Sequence, residues 1–458
     1  MAAPLPRLRA DLDIMPSPLP EQPGLIIRDP FRYSEVTLLI PPLLARCLGC
    51  FDGEQDERDL GATLARLSGQ VAVAEAARRL IASLHDAGFL DDDRFAELRG
   101  AREREFAAAG ERVSAHAGSG YPAKVPALKN TLRGYFEGQS AGPRLGVTAK
   151  AEANVTAKAK AAKAKDGNGL IGIAAPHVSP EGGSASYAAA YRALEHGTLK
   201  GSRTPRDGLA RGNPALPHAF AKPSKGEGDD RIFVVLGTSH YGEPDRFGLT
   251  RKPFATPFGA ASTETALVDE LCAAAGAAVT VEDYCHAVEH SIEFQVVFLQ
   301  YLLGPRIRIL PILCGAFFEG ATPGRLPETS DRVARFTGAL GEIAARRGRE
   351  LCFVLGVDFA HVGRRYGDAR AARAYEGPLA TVAERDDARV ERIAAGDAES
   401  FWNLVMERGD DDLKWCGSSP IYTFMRAVPQ ARGRALAYEQ WNIDDASVVS
   451  FGALSFES

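Results

Sequence analysis

Residues 232–240 read IFVVLGTSH: an uncharged aliphatic run closed by a glycine, two hydroxyl residues and a histidine. Apolar on both alternating faces, it predicts a parallel strand buried on both sides. The same form recurs in IGIAAPH at 171–177 and in LCFVLGVDFAH at 351–361. In an open α/β sheet, ligands bind beyond the carboxyl ends of the strands. His177, His240 and His361, each just past such a run, are therefore expected to share one site. Imidazole is the commonest metal ligand and titrates near neutral pH, so a metal or acid/base centre is the leading expectation.

Working outward, strands are predicted at 170–175, 231–237, 278–282, 307–314 and 351–357. Helical patterns lie between them near 184–195, 263–275, 290–303 and 328–347, and a long helical stretch follows over 370–428. Alternation of this kind predicts an α/β fold with a central, mostly parallel sheet flanked by helices. The closing segments ALAYEQWNI and SVVSFGALSFE, separated by Asp444 and Asp445, predict an antiparallel hairpin.

The front of the chain has a different rhythm. GLIIRDP and SEVTLLI predict a hairpin, and helices follow at Pro41–Phe51, Glu57–Leu67 and Ala72–Ala87, with Gly88 as a terminating glycine. GFLDDDRF suits a short terminal strand or wing. Residues 1–105 are thus expected to form a separate, winged-helix-like α+β domain, with the α/β domain over 112–458. Two polar stretches interrupt the second domain, at about 141–168 and 196–230, and read as surface insertions. His218 falls in the second and is expected at the surface.

The 458 residues carry a formal net charge of −5, which gives no global basic field for nucleic acid. No apolar run approaches the roughly 20 residues of a membrane span, and the N-terminus has no secretory h-region. A cytoplasmic location, without nucleic-acid or membrane partners, is expected. Seven cysteines stand at 47, 50, 272, 285, 314, 352 and 416, an odd and sparse set that does not read as a disulfide framework. Cys47 and Cys50 form a C-x-x-C with no second pair nearby, which favours core packing over redox or zinc chemistry.

Cys416, in WCGSSPIYTF, stands at a predicted helix start, where a thiol is acidified. It is a candidate thiolate ligand or nucleophile. Asp358, three residues before His361, is placed to bond an imidazole and fix its tautomer. His290, in EHSIEFQ, shares a helix face with Glu293 and is expected to line the pocket. His286 is expected at the surface.

Taken in order, PHVSPEGG (176–183), LGTSHYG (236–242), EHSIEFQ (289–295), VDFAHVG (357–363) and CGSSP (416–420) resemble the motifs of the Memo family, whose prokaryotic members are called AmmeMemoRadiSam system protein B. HAGSGYP at 116–122 resembles that family's opening segment. The resemblance implies a fold shared with LigB-like class III extradiol dioxygenases, with a cysteine in place of the carboxylate of their iron triad. It implies His177, His240 and Cys416 as metal ligands, His361 as the pocket acid/base with Asp358 beside it, and His290 lining the cleft. Iron is the first expectation for the metal; the thiolate makes copper or zinc competitors. The chain departs from the family pattern at His177-Val178-Ser179-Pro180, at Gly356-Val357-Asp358 and at Gly120.

The front domain is similar to the winged-helix peptide-binding domain of the pyrroloquinoline quinone peptide chaperone, on DGEQDERDLGATLA and LIASLHDAGFLDDDRF. The two resemblances imply a radical SAM protein and a peptide as partners. Two functional classes stand at this stage: a metal-dependent redox enzyme, and a non-catalytic scaffold that binds a peptide or partner through the cleft and the front domain.

Overall fold

The computed structural model describes residues 3–70, 72–138, 169–201, 229–317 and 324–458, with side chains of 196–201 left aside. The polar stretch 141–168, most of 196–230 and His218 lie outside the described residues. The chain divides into two compact units, Met1–Ala109 and Gly110–Ser458.

The first unit holds three short strands, β1 (Asp13–Pro16), β2 (Leu25–Arg28) and β3 (Thr37–Ile40), in antiparallel order β1-β2-β3. Ile27 and Ile40 turn inward onto a core with Leu60, Leu64, Leu80, Leu84 and Phe89. Those leucines repeat at helical spacing on Glu57–Ser68 and Ala74–Asp86, so one stripe of each helix covers the sheet. Cys47 and Cys50 are free thiols buried in this core. Two local expectations change. The helix expected over Pro41–Phe51 is a single turn, Pro42–Ala45, and then a 3₁₀ turn, Leu48–Cys50. GFLDDDRF contributes one isolated bridge, Leu90 to Leu8, and then starts a helix, Asp93–Ala108. The Asp92 carboxylate accepts from Phe95 N at 3.1 Å and caps that helix, which favours helix over strand.

The second unit is a mixed α/β layer structure. Its strands are β4 (Leu170–Ala175), β5 (Ile232–Thr238), β6 (Phe247–Leu249), β7 (Phe254–Thr256), β8 (Gly259–Thr263), β9 (Val279–Val281), β10 (Arg308–Cys314), β11 (Leu351–Gly356), β12 (His361–Gly363), β13 (Arg432–Asp444) and β14 (Ser447–Glu457). The described sheet runs β12-β14-β4-β11-β5-β10-β6-β9. Its centre, β4-β11-β5-β10, is parallel, and β13 and β14 form a long antiparallel hairpin along one side. Period-two alternation sorts the core: Val234, Leu236, Phe353 and Leu355 face one apolar layer, and Phe233, Val235, Cys352 and Val354 face the other. Burying each large aliphatic chain stabilises by roughly 1.5–3 kcal/mol relative to leaving it in water. Both faces are covered, which is why these strands lack charge.

The long helical pattern over 370–428 is broken in the structure. It comprises helices Leu379–Ala395, Ala398–Val405 and Ser418–Ala427. Gly396, left-handed at φ 70°, ends the first. The short strands β6, β7, β8 and β12 were not anticipated from the sequence. None exceeds five residues, too short for an alternation to register. Among the described residues, no helix is long and apolar enough to cross a membrane.

Candidate metal centre

β4, β11 and β5 are adjacent and parallel, and their carboxyl ends are in register: Gly356 pairs with Ala175 on one side and Gly237 on the other. His177 follows β4 by two residues and His240 follows β5 by two. Both imidazoles therefore leave the sheet at one end. Over that end lies the turn carrying Glu289–Ser291. A Cβ at Gly237 would sit 2.5 Å from Ser291 Oγ, and one at Gly356 would sit 2.1 Å from Ser291 O. Only glycine at these strand ends lets the turn come so close.

Cys416 reaches the same point from the loop before helix Ser418–Ala427. Thr238 Oγ1 donates to its carbonyl at 2.9 Å, and Gly417 N donates to Asp358 O at 3.1 Å. A Cβ on Gly417 would meet that carbonyl at 2.6 Å. The structure thus brings together one ligand atom each from His177, His240 and Cys416, all within 4.8 Å of one another.

Each imidazole is oriented through Nδ1. That of His177 donates to Gly356 O at 2.9 Å, leaving Nε2 3.2 Å from Cys416 Sγ. In His240, Nδ1 lies 3.1 Å from both Glu289 carboxylate oxygens, and the backbone N donates to the same group at 3.0 Å. A carbonyl and a carboxylate behind two imidazoles is the outer arrangement that directs Nε2 onto a metal. In a tetrahedral site with bonds of about 2.0–2.3 Å, donors stand about 3.5 Å apart, and the sulfur–nitrogen distance is close to this. Two imidazoles and a thiolate suit iron, copper or zinc rather than a hard oxygen-seeking ion. The donor set fits a transition metal.

The other expected residues surround this point. Asp358 Oδ1 accepts from the backbone N of His177 and Val178, at 2.9 and 3.2 Å, and its Oδ2 lies 3.5 Å from His177 Nε2. Its hydrogen bonds go to the His177 segment. The His361 tautomer is set by two carbonyls, those of Phe359 and Lys414, each 3.0 Å from Nδ1. His361 sits on β12 with its ring edge-on to Tyr366 at 4.9 Å. His290 stacks nearly parallel on His240, centroids 5.0 Å apart, and lies edge-on to His177 at 5.2 Å.

The electrostatics follow from burial and contact. Burial opposes ionisation of Glu289, but His240 and His290 overcome it and hold the carboxyl well below its ordinary range. Burial also opposes the charged form of His240, yet Glu289 and Cys416 hold its pKa well above the usual value. Burial lowers His290 well below its ordinary value, Glu289 notwithstanding, and lowers His361 despite Asp358. Burial pushes Asp358 up to about 6. For Cys416 burial favours the thiol, but His177 and His240 prevail and the pKa lies below that of a free cysteine.

Several residues were not read from the sequence as parts of the site. Glu289 is 2% exposed and bridges His240, His290 and Ser291 N. An acid beside a histidine in an otherwise apolar segment was the available signal. Arg112, also buried, pairs with Glu293 and donates to the carbonyls of His286 and Glu289 at 2.8 Å. Glu293 further accepts from Tyr121 and from the backbone N of Ala115 and His116. His116 then lies edge-on to His290 at 5.6 Å. The small residue at Gly120 makes room for Phe294, whose ring would be 3.0 Å from a Cβ there. His286, expected at the surface, is instead 1% exposed and bonds Gly248 O at 3.0 Å. Its short helical turn, Cys285–Val288, tucks beneath β6, and burial lowers its pKa to about 4.

Known proteins resemble this chain over much of its length. A MEMO1 family protein of Aquifex aeolicus is 24% identical over 343 residues, covering 75% of this chain and 73% of the relative. Another from Methanococcoides burtonii is 25% identical over 50% of this chain and 74% of its own. A third, from Methanosarcina acetivorans, is 25% identical over 56% and 85%. The profile of the Memo-like protein family matches residues 198–455, more than half of the sequence and with four of the motifs around the cluster wholly inside it. The chain belongs to the Memo family.

Proposed function

We propose that the chain is a metal-dependent redox protein whose ion, iron in the first instance, is held by His177, His240 and Cys416. The observation that carries this reading is the convergence of one thiol and two imidazoles, each imidazole with Nδ1 engaged by an acceptor. A bound metal there would supply a Lewis-acid and one-electron centre. The residues around it have separable tasks. Gly356 and Glu289 orient the two imidazoles. His240, the more solvent-accessible member, leaves one side open to a substrate. His361, neutral at pH 7 with Nδ1 bound to carbonyls, keeps Nε2 free to accept or return a proton. His290 lines the cleft beside His240.

The test is elemental analysis for iron, copper and zinc on anaerobically purified chain, beside Cys416→Ser and His177→Ala. One equivalent of iron in the wild type, lost in both variants, together with oxygen uptake on catechols or dithiols, is the expected result. Metal retained in both variants contradicts the reading.

A second reading, peptide capture by residues 1–105, is favoured by one observation. Met15, Ile26 and Leu39 are cross-strand partners in the small sheet, away from its core face, and Leu39 is 40% exposed on the edge strand β3. An exposed apolar edge is suited to pairing with an added strand. We further propose a radical SAM protein as partner. Affinity capture of such a protein by the full chain, abolished by Leu39→Lys, supports this reading; capture unaffected by that change counts against it.

A further inference from the structure

Behind the site, and not in contact with it, lies a carboxylate that takes no part in the chemistry above. Asp386, in the middle of helix Leu379–Ala395, is fully buried. Its Oδ1 accepts from Trp415 Nε1 at 2.7 Å, and its Oδ2 accepts from Tyr438 OH at 2.8 Å and Ser450 Oγ at 2.6 Å. Ala360 N donates to Ser450 Oγ, and Gln440 Nε2 donates to Tyr438 OH, so both hydroxyl hydrogens are free to point at Asp386. All three neighbours can donate, and the ionised carboxylate accepts on both oxygens.

Two of these donors adjoin the proposed chemistry. Trp415 immediately precedes Cys416. Its ring stacks on Phe359 at 4.3 Å and 9°, with the Arg389 guanidinium 5.1 Å from its centre. Its backbone N donates to Asp411 at 2.7 Å. Ser450 brackets the chain before His361: Phe359 N donates to its carbonyl at 2.8 Å, and Ala360 exchanges backbone and side-chain bonds with it at 2.9 Å. Lys414, at φ 53°, presents the carbonyl that fixes the His361 ring. The Cys416 loop and the His361 segment are thus tied to one buried oxygen pair.

We propose that Asp386 is a positioning residue that sets the placement of both Cys416 and His361. The inference rests on the reading of Cys416 as a metal ligand, and the measurements separate the two. In Asp386→Asn the side-chain amide keeps one acceptor for Trp415 but faces two hydroxyl donors with N–H groups. Co(II) binding to the full chain, followed by its thiolate charge-transfer band, is expected to weaken at least tenfold. The histidine ring NMR signals of His361 are expected to move in the same variant without added metal. Trp415→Phe, which deletes only the Nε1 donor, is expected to weaken Co(II) and leave the His361 signals. Ser450→Ala is expected to do the reverse. These two variants decide the matter if Asp386→Asn fails to fold. If wild-type chain binds no Co(II), the metal reading fails, and the alkylation rate of Cys416 at pH 8 with the His361 signals still tests positioning. Co(II) affinity, Cys416 alkylation and His361 signals all unchanged in the folded variants overturn the proposal.

Discussion

Cys416 Sγ lies 3.2 Å from Nε2 of His177, although 239 residues separate them along the chain. The contact exists because β4 delivers the imidazole at one end of the sheet and the loop before helix Ser418–Ala427 crosses that same end. Gly356 O holds the far side of the ring, so in the neutral imidazole the nitrogen facing sulfur is the one with the lone pair. Such a pair, with His240 in reach, fits the proposed metal.

Glu289 is the outer residue whose removal is most informative. Glu289→Gln takes away the charge behind His240 Nδ1 while preserving size. Metal affinity is expected to fall 10–100-fold, as is usual when an orienting partner of a ligand is lost. Competition with a chelator measures it; affinity within twofold of wild type contradicts the role.

His361→Asn separates binding from proton handling. The ring makes its Nδ1 bonds to carbonyls of Phe359 and Lys414, and no ligand role is assigned to it. Metal stoichiometry is expected to stay at one, and turnover of any substrate to fall on the order of 10²-fold or more, as expected for a general acid/base. Loss of metal in this variant would make His361 a ligand instead.

Arg112→Ala tests the buried pair that anchors the opening segment. Both side chains are fully buried, so truncation leaves the Glu293 carboxylate without its cation and two carbonyls without a donor. A loss of about 3–5 kcal/mol is expected, read from urea unfolding of the full chain by a probe in residues 110–458. A loss under 1 kcal/mol would mean that water or another donor replaces the guanidinium.

Asp386 also predicts a pH dependence of stability. Burial raises its pKa to about 6, against the opposing pull of Ser450, Tyr438, Trp415 and Arg389. Between about pH 4 and 6 the folded chain therefore keeps a proton that the unfolded chain has released. The contribution favours folding at low pH and is lost as pH rises through that window. Relative to Asp386→Asn, the wild type is expected to lose on the order of 2–3 kcal/mol of unfolding free energy between pH 4 and 7. A pH-independent difference contradicts the assignment.

The legible part of this molecule was the part governed by local pattern. Uncharged aliphatic runs mark β4, β5 and β11 because both of their faces are covered, and histidines just past them must emerge near one sheet end. Cys416 was legible as a reactive thiol from its place before a helix; its partners came through the family resemblance. Glu289, Glu293 and Asp386 were not legible in these roles. What a carboxylate does depends on whether packing removes water from it, and neither spacing nor composition reports that. His286 was misplaced for the same reason: acidic residues at 282, 283 and 289 flank its turn, but that turn folds against β6. The short strands β6, β7, β8 and β12 are fixed by pairing with distant segments rather than by their own three to five residues.

X-ray absorption at the metal edge of the loaded full chain reads the proposed donor set itself. One sulfur at about 2.3 Å and two imidazole nitrogens at about 2.0–2.1 Å are expected, with the sulfur scatterer absent in Cys416→Ser. A coordination shell of nitrogen and oxygen alone, identical in wild type and variant, would contradict it.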